Sequence, residues 1–247
     1  MKKKTIYDIG LIDDFVIGLE KHLDKPVTIY MIGGGAMCLR GLKDATFDID
    51  FVVETKNDFD ILFNALNKFG FNVLDTKLMN ENVYRKAPAV FEKGESRIDI
   101  FIKSIVGMLD FSKNMITRSE LHKKSGKLKL MLASNTDIFI LKNLAGRDKD
   151  ITDIEMLLKS GVKWSSVIDE CDKQSREGAS WIFFVYENLC KVENTLGIEI
   201  DGKQRVFRAC REIWDKKPDD FMREIKNLGN HLSGKFLKDV KDSFEFL

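Results

Sequence analysis

The chain has 247 residues, 44% of them hydrophobic, which is enough to bury a sizeable core, and Lys+Arg 40 against Asp+Glu 39 leaves a formal net charge of +1. That balance excludes a chain that binds polyanions with its whole surface, so any nucleic-acid contact must come from a local patch. The four cysteines show no C-x-x-C pair and the three histidines do not cluster with them, which argues against a disulfide framework and a zinc site; with no signal peptide and no apolar run of membrane-spanning length, a cytoplasmic protein without membrane contact is expected.

The helical spacing of Ile9, Ile12, Phe15, Val16 and Leu19 predicts an amphipathic helix over 7–22, closed by Pro26. "VTIYMIG" (27–33) is a β-rich run ending in glycines, "AMCLRG" (36–41) reads as a brief helix stopped by Gly41, and "DIDFVVE" (48–54) is a second strand. A helix with a glycine stop is predicted over 58–70, and strands over 71–74, 84–91 and 97–102. The runs 115–124 and 127–134, joined by Ser125-Gly126, predict a hairpin. From Ser134 onward nearly everything reads as helix. The fold class expected is α+β: a mixed β-sheet domain flanked by helices over 1–133, followed by an all-helical domain over 134–247.

Asp48 and Asp50 stand two apart, so on a strand both carboxylates project from one face. Two ionised carboxylates that close repel unless protonated, solvated or bridged by a cation, and Mg²⁺ shared with substrate phosphates is the common resolution. Asp99, in the alternating run "RIDIFI", completes a cluster of three if its strand lies beside the first. Taken alone, D-x-D equally marks a solvent-facing strand edge. Gly33, Gly34 and Gly35 at a strand-to-helix junction offer exposed amides for phosphate, or simply a connection too tight for side chains. No G-K-[ST] follows, so this is not a Walker A loop, and G-x-G-x-x-G is absent too.

Together these pieces are far more specific. A G-G after a strand, a short helix, an h-D-x-D-h strand and a later strand with one Asp resemble the DNA polymerase β-like nucleotidyltransferase superfamily; thirteen residues separate Gly34 from Asp48. The resemblance implies that Gly33, Gly34 and Gly35 contact a triphosphate, that Asp48, Asp50 and Asp99 bind Mg²⁺ or Mn²⁺, and that Asp99 helps activate the attacking hydroxyl. A second segment, Ile138 to Leu157, is similar to the Lys…Arg-x-x-Asp-x-x-Asp element of the branch holding the abortive-infection, type IV toxin-like nucleotidyltransferases and their archaeal relatives. That similarity adds Lys142, Arg147 and Asp153 to the phosphate-binding set and has 134–159 contribute to the active site. An ammonium inside an otherwise apolar helix needs an anionic partner, and for Lys142 a phosphate or Asp153 would serve. Ser134 and Asp137 read as a capping box, a structural role.

There are departures. Gly35 and Ala36 follow where antibiotic nucleotidyltransferases often carry Ser, and Lys43 and Asp44 stand where the toxin-like relatives usually have an arginine. From Ser112 to Lys129 six basic residues against Glu120 give a segment of +5, and Arg205, Arg208 and Arg211 form a row on one helix face; both could grip RNA phosphates or remain hydrated surface. The expected activity is metal-dependent transfer of an NMP from an NTP to a hydroxyl, an RNA or tRNA 3′ end ahead of a protein or small molecule. The alternative is a non-catalytic nucleotide- or RNA-binding regulatory module on the same fold. The expected partners are NTP, an RNA acceptor, and an antitoxin or a second copy of the chain.

Overall fold

The computed structural model describes residues 7–74, 89–105, 109–175 and 181–216. Two compact units divide the chain, Met1–Ile138 and Phe139–Leu247, and the architecture is α+β.

In the first unit, helix α1 (Ile9–Glu20) starts where the Asp8 carboxylate accepts the Leu11 amide at 2.8 Å, and it buries Ile12, Phe15, Val16 and Leu19 as their spacing predicts, while Ile9, expected on the same stripe, is exposed. Strand β1 (Val27–Ile32) runs directly into α2 (Gly33–Leu39), followed by β2 (Ile49–Val53). The helix therefore begins on the first glycine, where the sequence reading placed a turn and started the helix at Ala36. Thr55 caps α3 (Lys56–Lys68), its hydroxyl oxygen accepting the Asp58 amide. Strands β3 (Asn72–Val73), β4 (Ala89–Lys93) and β5 (Ser96–Ile102) come next, and most of the strand expected over 84–91 lies outside the described residues. A short pair, β6 (Ser104–Ile105) and β7 (Leu109–Asp110), leads to α4 (Lys113–Arg118) and the hairpin of β8 (Glu120–Ser125) and β9 (Leu128–Leu132).

Helix α4 corrects the hairpin's expected first strand. Ile116 and Thr117 suit a strand by propensity, but the Ser112 hydroxyl oxygen accepts the Met115 amide at 3.1 Å and the turn buries Met115 completely. Local capping and burial override a propensity difference of a few tenths of a kcal/mol per residue.

Seven strands make a mixed sheet in the order β3-β4-β5-β2-β1-β9-β8, with β1–β9 and β2–β5 parallel and the other neighbours antiparallel. One face packs on helices: Phe15 of α1 stacks on Phe51 of β2 at 6.2 Å and meets Phe69 and Phe71, each at under 6 Å. Burying Phe15, Phe51 and Phe71 contributes about 1.5–3 kcal/mol each, and the half-buried Phe69 less. The other face carries Tyr30, Ile32, Asp50 and Asp99 by alternation.

The second unit is helical. Helix α5 (Asn135–Ala145) carries the chain into it, and a 3₁₀ turn (Asp148–Asp150) precedes α6 (Ile151–Lys159), α7 (Trp164–Gln174), α8 (Trp181–Leu196) and α9 (Lys203–Lys216). Of the aromatic and aliphatic run that reads as core in α8, Trp181, Phe183, Tyr186, Leu189 and Val192 are buried, whereas Phe184 is half-buried. The Asn188 side-chain amide donates to the Asn143 Oδ1 at 3.1 Å, which satisfies two buried polar side chains at once. Cys171 and Cys190, distant in sequence, come within electrostatic reach of Cys210; burial pushes the Cys171 thiol up to about 12. Such thiols behave as packing groups. Among the described residues no helix is long and apolar enough to cross a membrane.

Candidate active site

Strand pairing brings together residues far apart in the chain. In β2–β5 Asp50 lies opposite Asp99, in β1–β2 Ile32 lies opposite Asp50, and in β4–β5 Val90 lies opposite Asp99. One row, Ile32–Asp50–Asp99–Val90, thus crosses four strands on the face turned away from Phe51, and neighbouring parallel strands put the Asp50 and Asp99 Cα atoms about 4.8 Å apart. Asp48 precedes β2 on the same side and, like Asp50, is half-buried, whereas Asp99 is 7% exposed.

The three carboxylates are held differently. The Thr46 hydroxyl lies 3.2 Å from the Asp48 carbonyl oxygen and 3.4 Å from its Oδ1, and Thr46 itself is pinned by a backbone bridge to Tyr7. The Asp50 carboxylate turns back toward the glycines: a Cβ on Gly33 would stand 2.6 Å from Asp50 Oδ2. Asp99 accepts two hydrogen bonds from one guanidinium, Arg97 Nε at 2.7 Å and Nη2 at 2.9 Å. Burial pushes the Asp99 carboxyl above the usual carboxylate range; Arg97 pulls it back only in part, and the nearby charges of Asp48 and Glu92 add to the rise.

The glycines divide by role. Gly33 has φ of +62°, a conformation that costs an L side chain, and its missing Cβ makes room for Asp50. Gly34 and Gly35 are buried, where a Cβ would come within 2.3 Å of Thr46 Oγ1 and 3.0 Å of Met31 Sδ respectively, so close packing alone accounts for them. Gly41 shares the positive φ with nothing within 4 Å. Gly33→Ala is therefore expected to lower the unfolding free energy by more than the about 1–2 kcal/mol that the backbone strain alone costs, while Gly41→Ala shows that strain alone; equal losses in urea unfolding would mean that Asp50 moves aside freely.

In the second unit, Lys142 Nζ sits 2.9 Å from Asp150 Oδ1 and 2.6 Å from Asp153 Oδ2, and Arg147 Nε sits 2.6 Å from Asp150 Oδ2. Lys142, Asp150 and Asp153 are all buried. Burial works against the Lys142 ammonium, but the two carboxylates outweigh it and hold its pKa above the ordinary value. Burial likewise works to raise Asp150, yet Lys142 and Arg147 keep it below the usual range. Of the two partners considered for Lys142, the structure supplies Asp153 and joins Asp150 to it.

Sequence reasoning missed Arg97 and Thr46. The signal for Arg97 was present, since R-x-D on a strand puts both side chains on one face. Thr46 carried no such signal, because its contacts come from Tyr7 and from the helix that starts at Gly33.

Hard carboxylate oxygens suit Mg²⁺ or Mn²⁺. Asp48 and Asp50, half-buried and close in sequence, fit such an ion with substrate oxygens completing its shell. Asp99 does not fit while Arg97 holds both its oxygens. Among the described residues no three His, Cys, Asp or Glu side chains are gathered to hold a metal ion together.

No curated protein matches the chain. A solved structure described as a "putative nucleotidyltransferase from H. pylori" is 14% identical to it, with a TM-score of 0.39 and with 90% of this chain and 96% of that one covered. A family model described as "Nucleotidyltransferase of unknown function (DUF6036)" matches residues 10–172. With its paired aspartates in register on neighbouring strands beside a glycine opening, the chain belongs to that nucleotidyltransferase family.

Proposed function

We propose that the protein transfers a nucleoside monophosphate from an NTP to a hydroxyl acceptor and releases pyrophosphate, with Mg²⁺ or Mn²⁺ required. The observation that carries this reading is the register of Asp50 with Asp99, with Asp48 close by, on the sheet face that Gly33 opens. Asp48 and Asp50 would hold the cation, which supplies neutralising charge for the triphosphate and lowers the pKa of the attacking hydroxyl. The acceptor oxygen bonds to the α-phosphorus while the bond to the bridging oxygen breaks. Asp99 takes the hydroxyl proton and passes it to solvent. Gly33 leaves room for the Asp50 carboxylate itself, and the amides of 33–35 are the donors to the phosphates in this reading. The segment Lys142, Arg147, Asp150, Asp153 supports the toxin-like branch, and with it an antitoxin as partner; there we assign Lys142 and Arg147 to orienting Asp153 and Asp150 ahead of direct phosphate contact.

An RNA 3′ end is the acceptor the surface favours. Lys124 and Lys129 are exposed and directly opposite one another across the β8–β9 hairpin, a like-charge pair that costs stability. They line, with Lys127, a cleft of about 450 Å³ that Glu54 and Asp58 also line, so three ammonium groups there outnumber two carboxylates. Lys129 pairs with Thr28, which shares a sheet face with Ile32 and so with Asp50, at about 16 Å along and across the sheet. A single strand lying on that face could reach from the lysines to the carboxylates.

The test is incubation with each α-³²P-labelled NTP, Mg²⁺ and total RNA or cell extract. Label is expected in RNA, and Lys124→Glu with Lys129→Glu should lower RNA labelling about tenfold or more at low salt, with the difference shrinking as salt rises. Label in protein or a small molecule instead would reassign the acceptor. The hold of Arg97 on Asp99 favours a second reading, a regulatory module that binds nucleotide or RNA without transfer, and Mg²⁺-dependent NTP binding with no labelled product would establish it.

A further inference from the structure

Arg97 is placed where a cation is otherwise expected. It stands two residues before Asp99 on β5, so both side chains leave the same face of the strand. The pair is nearly closed to solvent, with side chains 13% and 10% exposed, and the guanidinium meets both carboxylate oxygens in the planar two-bond arrangement. Glu92 lies opposite Arg97 on β4, and the charges of Asp48 and Glu92 reach Asp99. Arg97 therefore sits among several carboxylates as a charge that cannot be removed by deprotonation.

We propose that Arg97 is a built-in cation that occupies Asp99 until substrate arrives and competes with divalent metal for it. The inference rests on the reading of Asp48 and Asp50 as metal ligands and deepens it, because it makes the third carboxylate conditional. With Arg97 in place the site holds metal through Asp48 and Asp50 alone. The guanidinium has one better destination than a single carboxylate, the doubly charged oxygens of a nucleotide phosphate, which it can also meet with two bonds. Nucleotide entry draws Arg97 off Asp99 and frees that carboxylate to act. Arg97 is thus a positioning residue that ties the availability of Asp99 to an occupied nucleotide site, and it protects a buried carboxylate from standing uncompensated in the meantime.

The test is Mn²⁺ binding without nucleotide, followed by electron paramagnetic resonance on the full chain. Removing a competing cation frees a carboxylate, so Arg97→Gln is expected to bind Mn²⁺ at least about tenfold more tightly than wild type. Arg97→Lys, which keeps the charge but loses the two-bond geometry, should fall between them and serves if the glutamine variant folds poorly by circular dichroism. The gain should vanish in Arg97→Gln with Asp99→Asn, which shows that it passes through Asp99. A residue that merely supports the fold would weaken Mn²⁺ binding or leave it unchanged when replaced. Unchanged or weaker affinity in folded Arg97→Gln and Arg97→Lys, with Mn²⁺ still lost on Asp48→Asn, overturns the role of Arg97 and leaves the metal reading standing. Absence of Mn²⁺ binding in every variant overturns both.

Discussion

In the labelled-NTP assay, Asp50→Asn and Asp48→Asn are each expected to lower transfer by about 10³-fold or more, the scale on which removing an electrostatic element of phosphoryl transfer acts. Asparagine keeps the volume and one accepting oxygen, so the circular dichroism spectrum and the urea midpoint should stay close to wild type. That contrast matters because Asp50 also fills the space that Gly33 leaves open, and a loss of activity through misfolding would prove nothing about chemistry. The two variants should lose Mn²⁺ affinity along with transfer. A folded Asp50→Asn protein that still turns over NTP with Mg²⁺ would remove the metal assignment from this pair.

Lys142→Met is expected to cost about 3–5 kcal/mol of unfolding free energy, because it leaves Asp150 and Asp153 buried without the ammonium both of them bind. Arg147 still reaches Asp150, so the lower half of that range is the firmer expectation. The sign with pH follows from the shifts. Asp150 is depressed in the folded state, so its contribution is present above its unfolded pKa and is lost as the pH falls through the folded one. Lys142 is raised, so its contribution is present below its unfolded pKa and is lost only as the pH rises through the folded value in strong alkali. Wild type and Lys142→Met should therefore differ most around neutral pH and converge in acid. Should Lys142 instead serve a phosphate, the variant would keep near-wild-type stability and show a raised KM for NTP, an outcome the same two measurements separate.

Much of this protein could be read from single residues and their spacing. The buried stripe of α1 follows from Ile12, Phe15, Val16 and Leu19, and the strand around Asp99 from the alternation of "RIDIFI". Asp48, Asp50, Asp99 and Gly33 were legible as candidates because charge and conformational freedom are costly where they stand. Local signals of that kind depend on a few neighbouring residues, so a sequence carries them openly. The strand expected over 115–124 shows their limit: Ile116 and Thr117 favour β structure, and one capping hydroxyl on Ser112 with a buried methionine makes the start of that run a helix.

Other features depended on which distant segments meet. Asp50 and Asp99 are 49 residues apart in the chain, and only the parallel pairing of β2 with β5 puts them in one row. The same β5 that delivers Asp99 delivers Arg97 to its oxygens, which turns an expected cluster of three carboxylates into a pair plus an internally neutralised third. Lys142 called for an anion by its burial, and the turn at 148–150 decided that the anions would be Asp150 and Asp153. By itself the sequence determined which residues carry charge or freedom at a cost. The tertiary structure alone decided what each is set against, because the partner that offsets a buried charge comes from another element whose approach no local pattern encodes.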